Sequence, residues 1–204
     1  MSTGNPAETR RRPKQERARL TVASILEATE ILAREGGFMN LETSRIAARA
    51  GISVGSLYQY FANLQSILLS LYEKHSMEVA YKMKSAMVTA LDQPPEQALL
   101  EVMWVILRLH ERHHMILHRM ADEVPQLNLA HHPTSLKNLI HGSVSAYLKH
   151  QQLAASTAEL NRKARILESI VFGCIKDYLD DPGNISKAAL VKDLNAICVH
   201  YIRT

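Results

Sequence analysis

Several features that mark other protein classes are scarce in this 204-residue sequence. It has only two cysteines, Cys174 and Cys198, which are too few for a disulfide framework. It also has no apolar run of about eighteen uncharged residues, and its first residues are polar and arginine-rich. We therefore expect a soluble, cytoplasmic protein. We interpret the two thiols as buried small hydrophobic groups, with a redox-sensing pair as the alternative.

Strand patterns are missing as well, because apolar and polar residues do not alternate over any sustained stretch. Apolar residues recur instead at spacings of three and four, which predicts an all-α fold. Caps and breakers predict a first helix from about Pro13 to about Arg34, with short helices over 43–50 and 54–60. Longer helices follow, one of them capped by Thr134. The pattern indicates an N-terminal three-helix head and a larger helical body.

Positive charge is concentrated at the start of the chain. Residues 1–20 carry six basic and two acidic side chains, so this segment alone accounts for the net charge of +4. The basic residues are Arg10, Arg11, Arg12, Lys14, Arg17 and Arg19. We expect residues 1–16 to form a disordered basic arm that meets a polyanion such as DNA, with a solubilising tail as the alternative.

Two short helices joined by Gly51, Ile52 and Ser53 have the spacing of a helix-turn-helix, whose second helix enters the major groove of DNA. Ile46, Ala47, Ala50, Ile52 and Leu57 supply the apolar contacts that hold such a crossing. The third helix then presents small and polar residues outward, and these can approach phosphates and base edges.

The segment TSRIAARAGISVGSLYQYF, residues 43–61, resembles the DNA-binding signature of the TetR family of one-component bacterial transcriptional regulators. The resemblance covers about residues 17–75, and residues 76–204 resemble the family only in the number and length of their helices. It implies a homodimer that binds double-stranded operator DNA, most often as a repressor, and releases it when a small-molecule effector binds. It implies no cofactor and no enzymatic activity.

On this basis residues 17–75 are the predicted DNA-binding domain, with the helix-turn-helix at about 42–61, and residues 76–204 are the predicted ligand-binding and dimerisation domain. The predicted DNA-binding residues are Thr43, Ser44, Arg45, Ser53, Val54, Gly55, Ser56, Tyr58, Gln59, Tyr60 and Asn63. The sequence departs from the family pattern twice. Glu42 stands where Ser or Thr usually caps the second helix, and Leu64 stands where the family has a lysine that resembles a phosphate anchor.

Large, adaptable side chains of the predicted C-terminal domain are candidates for lining an effector cavity. They are Met83, Met87, Met103, Trp104, Leu107, Met115, Met120, Tyr147 and Phe172. The last two helices carry long apolar stripes, which suit an isologous four-helix interface between two copies. The predicted dimer face comprises Ile166, Ile170, Cys174, Tyr178, Leu190, Leu194, Ile197 and Tyr201.

A competing signal is the sequence HERHH, residues 110–114, which satisfies the H-E-x-x-H pattern of zinc proteases. His110 and His114 would hold the metal and Glu111 would activate water. The extended form of the motif requires glycine at position 117 and histidine at position 120, where this sequence has Leu117 and Met120. The third ligand would have to come from Glu123, His131 or His132. A zinc-dependent hydrolase or a metal sensor is therefore the alternative function.

Overall fold

The structure, a computed structural model, describes residues 6–133 and 135–204, with side chains from Gln15 onward. These residues form helices, turns and loops and contain no strand, which confirms the all-α prediction. None of the described helices combines the length and apolar character that crossing a bilayer requires.

The chain divides into two compact units. The first comprises the described residues up to Tyr72 together with Glu123–Leu127. It contains α1 (Pro6–Gly36), α2 (Thr43–Arg49), α3 (Val54–Tyr58) and the start of α4 (Leu64–Thr89). Helix α2 packs against both α1 and α3. A short 3₁₀ turn, Phe38–Asn40, follows α1 after Gly37, whose φ of 77° ends the helix as predicted.

The second unit comprises Glu73–Asp122 and the described part of Asn128–Thr204. It contains the rest of α4, α5 (Pro95–His114), most of α6 (Met120–Glu123), α7 (Leu136–His150), α8 (Thr157–Asp180) and α9 (Lys187–Arg203). A π-helical segment, Met115–Arg119, separates α5 from α6. Helix α5 packs against α8 and α9, and α7 packs against α8. The unit boundary at Tyr72 is close to the predicted domain boundary between residues 75 and 76.

Two expectations about helix starts differ from the structure. Helix α1 begins at Pro6, so residues 6–16 of the predicted disordered arm are helical, and residues 1–5 lie outside the described residues. The sequence placed the start at Pro13 because proline is tolerated in the first turn of a helix and disfavoured in its interior. The predicted cap Thr134 also lies outside the described residues; α7 begins at Leu136, after Ser135.

Four of the described helices begin with a side-chain cap. In each, a side-chain oxygen of the cap residue accepts a hydrogen bond from the backbone N–H three residues later, which satisfies a group that the helix leaves without a partner. The pairs are Ser53 with Ser56 at 3.1 Å, Asn63 with Ser66 at 2.9 Å, Ser156 with Glu159 at 3.2 Å, and Ser186 with Ala189 at 3.1 Å.

A contact between residues far apart in sequence secures the turn after α1. The carboxylate Oε2 of Glu123 accepts a hydrogen bond of 2.8 Å from the backbone N–H of Phe38. The Phe38 side chain is buried. Glu123, which the zinc hypothesis offered as a third ligand, thus belongs to the first unit and holds its backbone.

Replacing Glu123 with alanine should destabilise the first unit by about 1–3 kcal/mol, because the Phe38 N–H loses its acceptor in a partly buried place. Thermal unfolding and hydrogen exchange at the Phe38 amide would measure the effect. Glu123→Gln keeps an acceptor oxygen and is the matched control. Equal losses in both variants would show that the hydrogen bond is not what stabilises this turn.

Candidate DNA-binding surface and ligand cavity

The first candidate site is the pair of helices α2 and α3 with the turn between them. Gly51 adopts a φ of 70°, a left-handed conformation that glycine takes without steric strain. Ser53 then caps α3. On the inner side Ile46, Ala47 and Leu57 are fully buried, and such burial fixes the crossing of the two short helices.

The side chains opposite this core face solvent. All eleven predicted DNA-binding residues are exposed or half-buried. Three of them carry large apolar surfaces, and Tyr58, Val54 and Tyr60 are 50%, 39% and 38% exposed. This surface therefore combines hydroxyl groups, an amide, the Arg45 guanidinium and accessible aromatic rings on one side of the unit.

Two hydrogen bonds order the hydroxyl groups of this surface. The Thr43 hydroxyl lies 3.1 Å from the Tyr58 hydroxyl, joining the start of α2 to the end of α3. The Ser53 and Ser56 hydroxyls lie 2.9 Å apart. Sequence patterns did not predict the Thr43 and Tyr58 pair, because the two residues are fifteen positions apart. The pair links the Tyr58 hydroxyl on the exposed face to the start of α2.

The two departures from the family pattern have visible consequences. Glu42 occupies the cap position of α2 and makes no side-chain cap. Its carboxylate instead accepts a hydrogen bond of 3.3 Å from the Ser44 hydroxyl, which places a negative charge beside a predicted DNA contact. Leu64 is half-buried as the first residue of α4. The neighbouring predicted contact, Asn63, already uses its side-chain oxygen in the helix cap.

The second candidate site is a cavity of about 60 Å³ within the second unit, between α4, α5, α7, α8 and α9. Five of the predicted pocket residues line it, and they are Met83, Met87, Met103, Tyr147 and Phe172. The other predicted residues do not. Trp104 follows Met103 on α5, and successive helical residues point about 100° apart, so it faces elsewhere. Leu107 and Met120 are buried elsewhere, and Met115 belongs to the π-helical segment.

Of the fifteen described residues that line the cavity, ten were not predicted, and the charged one among these is Glu168, which is 3% exposed. The Nδ1 atom of His141 lies 2.9 Å and 3.3 Å from its two carboxylate oxygens. Burial raises the pKa of Glu168 above its usual range, and the nearby His141 opposes that shift. The signal that could have revealed it is a lone acidic residue on the apolar stripe of α8, next to Leu167.

The three residues of the zinc-protease motif have separate partners. His110 Nδ1 lies 2.8 Å from His118 Nε2, His114 Nε2 lies 2.9 Å from an Asp180 carboxylate oxygen, and Glu111 forms an ion pair with Lys187. Of the candidate third ligands, Glu123 bonds to Phe38, and the other two also have partners of their own. These are Asn128 for His131 and Glu73 for His132. Across the described residues, no group of three or more His, Cys, Asp and Glu side chains is placed to hold a metal ion.

In the second unit the histidines instead form one close pair, His75 with His113, and one group in which His118 contacts both His110 and His114. His75 and His113 are both buried, with their Nδ1 atoms 2.7 Å apart, and the His110 ring stacks on Phe172 with centroids 5.3 Å apart. Burial, together with neighbouring histidines, lowers the pKa of His110 to about 3. The same causes lower the pKa of His113 and of His118 to about 4. The rings of His110, His113 and His118 are therefore neutral at physiological pH.

The two cysteines are placed differently. Cys198 is buried and lines the cavity, and Cys174 is half-buried. Burial, with Cys174 nearby, raises the pKa of the Cys198 thiol to about 11. A thiol with so high a pKa has little of the reactive thiolate at neutral pH, which favours the interpretation of Cys198 as a packing group.

The predicted dimer face lies along α8 and α9, and most of its members reach the surface. Ile166 and Ile197 are 37% and 53% exposed. Ile170, Cys174, Tyr178, Leu190 and Tyr201 are half-buried. Leu194 was wrongly included in the face: it is 3% exposed, because the apolar stripe of α9 also supplies the core of its own unit.

Comparison with known proteins gives matches of two kinds. Residues 25–71 match the family described as bacterial regulatory proteins, tetR family. The fatty acid metabolism regulator protein of Bacillus subtilis (strain 168) is 36% identical over 50 residues, which is 24% of this chain and 26% of that protein. The matched part is thus about a quarter of that relative's length.

Solved structures extend the similarity over most of the chain. The fatty acid degradation regulator FadR from Bacillus halodurans is 18% identical, with 97% of each chain covered and a TM-score of 0.65. FadR of Thermus thermophilus, a TetR family transcriptional repressor in complex with lauroyl-CoA, is 17% identical, with 89% of this chain and 92% of that chain covered and a TM-score of 0.59. At these identities the structures establish the fold alone.

Because the interior histidines of the second unit are buried in their neutral form, we expect the free energy of unfolding to fall in mild acid. Below about pH 6.5 the unfolded chain gains a proton on His110, whereas the folded protein does not until about pH 3. The free energy of unfolding should therefore fall as the pH drops through this window. His110 alone accounts for about 2 kcal/mol at about pH 5.

Urea unfolding at several pH values would measure this dependence. His110→Asn removes the titrating group and should flatten the pH profile by that amount. His200→Asn, which changes an exposed histidine of α9, should leave the profile as in the wild type. If the wild type, His110→Asn and His200→Asn gave the same pH profile, His110 would not be the source of the acid sensitivity.

Proposed function

The chain belongs to the tetR family of bacterial regulatory proteins through the domain in residues 25–71, and on that premise we propose that it is a ligand-responsive repressor. It is a transcriptional regulator of that family, and its proposed mode of action has three parts. A homodimer binds a palindromic operator, a small molecule enters the second unit, and the dimer then releases the DNA.

The observation that carries the DNA-binding part is the crossing of α2 and α3 about Gly51. It exposes a continuous set of hydrogen-bond donors opposite a fully buried core. Small residues at the start of α3, Ser53 and Gly55, let the backbone approach base edges in the major groove. In the proposed complex Tyr58, hydrogen-bonded to Thr43, and Arg45 contact phosphates on either side.

A palindromic operator requires two copies related by a two-fold axis, because its half-sites lie about 34–36 Å apart or at a multiple of that distance. The exposed isoleucines on α8 and α9 support this requirement. Ile166 and Ile197 are exposed apolar side chains on the last two helices. An isologous four-helix contact would bury both residues in each of the two copies.

The cavity supports the effector part of the proposal. Its lining is almost wholly apolar, and three flexible methionines, Met83, Met87 and Met103, can shift to admit a guest. Similar folds bear names that refer to fatty acids, and one is described with lauroyl-CoA. An effector with an apolar portion fits both observations. At about 60 Å³ the cavity is smaller than the roughly 300–1,000 Å³ of ordinary ligand sites, so binding has to widen it.

Widening the cavity offers a route to DNA release. Met83 and Met87 belong to α4, and the same helix begins at Leu64 within the first unit. A ligand shifts such an equilibrium only by binding one state better than the other, typically by about 1–3 kcal/mol. Movement of α4 in both copies would change the separation of the two DNA-binding domains and disfavour docking on both half-sites.

DNA binding can be tested with duplexes that the protein selects from a random pool, by measuring the affinity for them at several salt concentrations. Affinity should fall steeply between about 50 and 200 mM salt, because binding to phosphates releases counterions. Arg45→Ala should weaken binding by at least about tenfold and lower the salt slope by about two, because each of the two half-sites then has one phosphate that the protein no longer neutralises.

Arg49→Ala is the matched control, because Arg49 lies on the same helix but faces Glu35, 3.6 Å away. It should change affinity less than Arg45→Ala. A folded protein that binds no duplex at low salt would overturn the proposed function.

Dimerisation gives a second test. Ile197→Glu places a charge on the proposed face and should weaken the dimer by up to about a hundredfold. Full burial of an isoleucine contributes roughly 1.5–3 kcal/mol, about half of this remains for a side chain that is 53% exposed, and the symmetric contact contains two. Sedimentation velocity over a dilution series would measure it. Ile185→Glu changes an equally exposed isoleucine outside α8 and α9 and should leave the dimer intact. Similar effects of the two substitutions would rule out this face.

A further inference from the structure

A groove on the surface of the second unit runs between α4 and α7 and adjoins the internal cavity. Its volume is about 400 Å³. It is open to solvent, because Lys84, Val88, Leu139 and Gly142 are exposed residues of its lining. Val88 and Leu139 are 63% and 38% exposed. The groove therefore offers accessible apolar surface together with a charged group.

Two side chains connect the groove to the cavity. Met87 of α4 and Tyr147 of α7 line both spaces. Their neighbours line only one of the two: on α7, Val144 lines the cavity and Ser143 lines the groove. Met87 and Tyr147 therefore stand at the boundary between a space that solvent reaches and one that it does not.

Both boundary side chains can move at low cost. Methionine is flexible and adapts to different surroundings. The Tyr147 hydroxyl donates a hydrogen bond of 3.3 Å to the Gln93 backbone oxygen, which also accepts one of 3.2 Å from Gln151 Nε2. The Gln93 oxygen thus keeps a partner when Tyr147 turns away, and the cost is that of one ordinary hydrogen bond.

Movement of these side chains would join the two spaces into one. The cavity alone, at about 60 Å³, is smaller than ordinary ligand sites of roughly 300–1,000 Å³. With the groove of about 400 Å³ added, the joined site lies within that range. A ligand that occupied both parts would therefore not need a new cavity.

The groove also determines which charge a ligand can carry. Among the described residues that line it, Lys84 alone has a formal charge. Lys82 of the same helix forms an ion pair of 2.7 Å with Glu78, whereas Lys84 has no acidic partner in the described part of the chain. The accessible surface of the cavity is apolar, so a charged head group would be desolvated there without compensation and is accommodated better in the groove.

We propose that the groove and the cavity form one effector site, and that the effector is an anionic amphiphile. Its apolar part passes Met87 and Tyr147 into the cavity, and its head group stays in the groove beside Lys84. This inference rests on the proposed function, in which the cavity receives the effector. Because Met87 belongs to α4, entry of the apolar part displaces a side chain of the helix whose movement the proposed release requires.

Decanoate and decylamine have the same chain length and opposite charge, so they test the head group. Isothermal titration of the wild-type protein, below the concentrations at which the probes form micelles, should show tighter binding of decanoate. Lys84→Gln should weaken decanoate binding about threefold, the usual size for an exposed charge pair, and should strengthen decylamine binding. Lys149→Gln removes an exposed lysine of α7 outside the groove and should leave both affinities unchanged.

Gly142→Leu tests the groove itself. A Cβ atom at Gly142 would meet no atom within 4 Å, and leucine is a better helix former than glycine, so the variant should fold. The new side chain would occupy the groove and should weaken both probes about tenfold. Lys149→Leu places the same side chain at an exposed position of α7 outside the groove and should not change either affinity.

The proposal is overturned if decylamine binds the wild type more tightly than decanoate, or if neither probe binds. It is also overturned if Gly142→Leu binds both probes as the wild type does, or if Lys84→Gln and Lys149→Gln have equal effects. Should Gly142→Leu fail to fold, the two lysine variants still decide. Duplex binding by the ligand-free protein separates this test from the proposed function: failure of the probes with DNA binding intact refutes only the joined site.

Discussion

The proposed DNA-binding surface depends on a single backbone conformation, the positive φ of 70° at Gly51. This turn brings the end of α2 beside the start of α3, so that the fully buried Ile46, Ala47 and Leu57 meet on one side. Once those three are inside, the remaining side chains of two short helices have to face solvent. A residue with a Cβ would be strained at Gly51, and a side chain larger than Ala47 would separate the helices.

The interior of the second unit contains polar and titratable side chains, and each of them needs either a partner or a neutral state. Lys163 is matched by three acceptors, and the His110 and His113 rings are held neutral by burial. These groups are compatible with a stable interior because each either has partners or carries no charge. Glu168 is likewise paired, because His141 Nδ1 lies 2.9 Å and 3.3 Å from its two carboxylate oxygens.

How far the sequence predicts these sites varies with the range of the interactions. Caps such as Ser53 and Ser186 follow from local chemistry, since each satisfies a backbone N–H three residues away. The motif around His110 was misleading for the opposite reason. His110, Glu111 and His114 have the spacing of metal ligands, yet contacts from residues up to 76 positions away draw them to separate partners.

By itself the sequence determined the all-α class, the helix-turn-helix and the identity of its exposed residues, because periodicity, caps and a glycine turn act over a few residues. Tertiary structure alone decided which five of nine candidates line the cavity, that Leu194 is core, that Glu123 secures Phe38, and that Glu168 is buried beside His141. Those outcomes depend on how helices rotate against one another. A rotation of one residue, about 100°, moves a side chain from a cavity to a surface without changing the helical pattern.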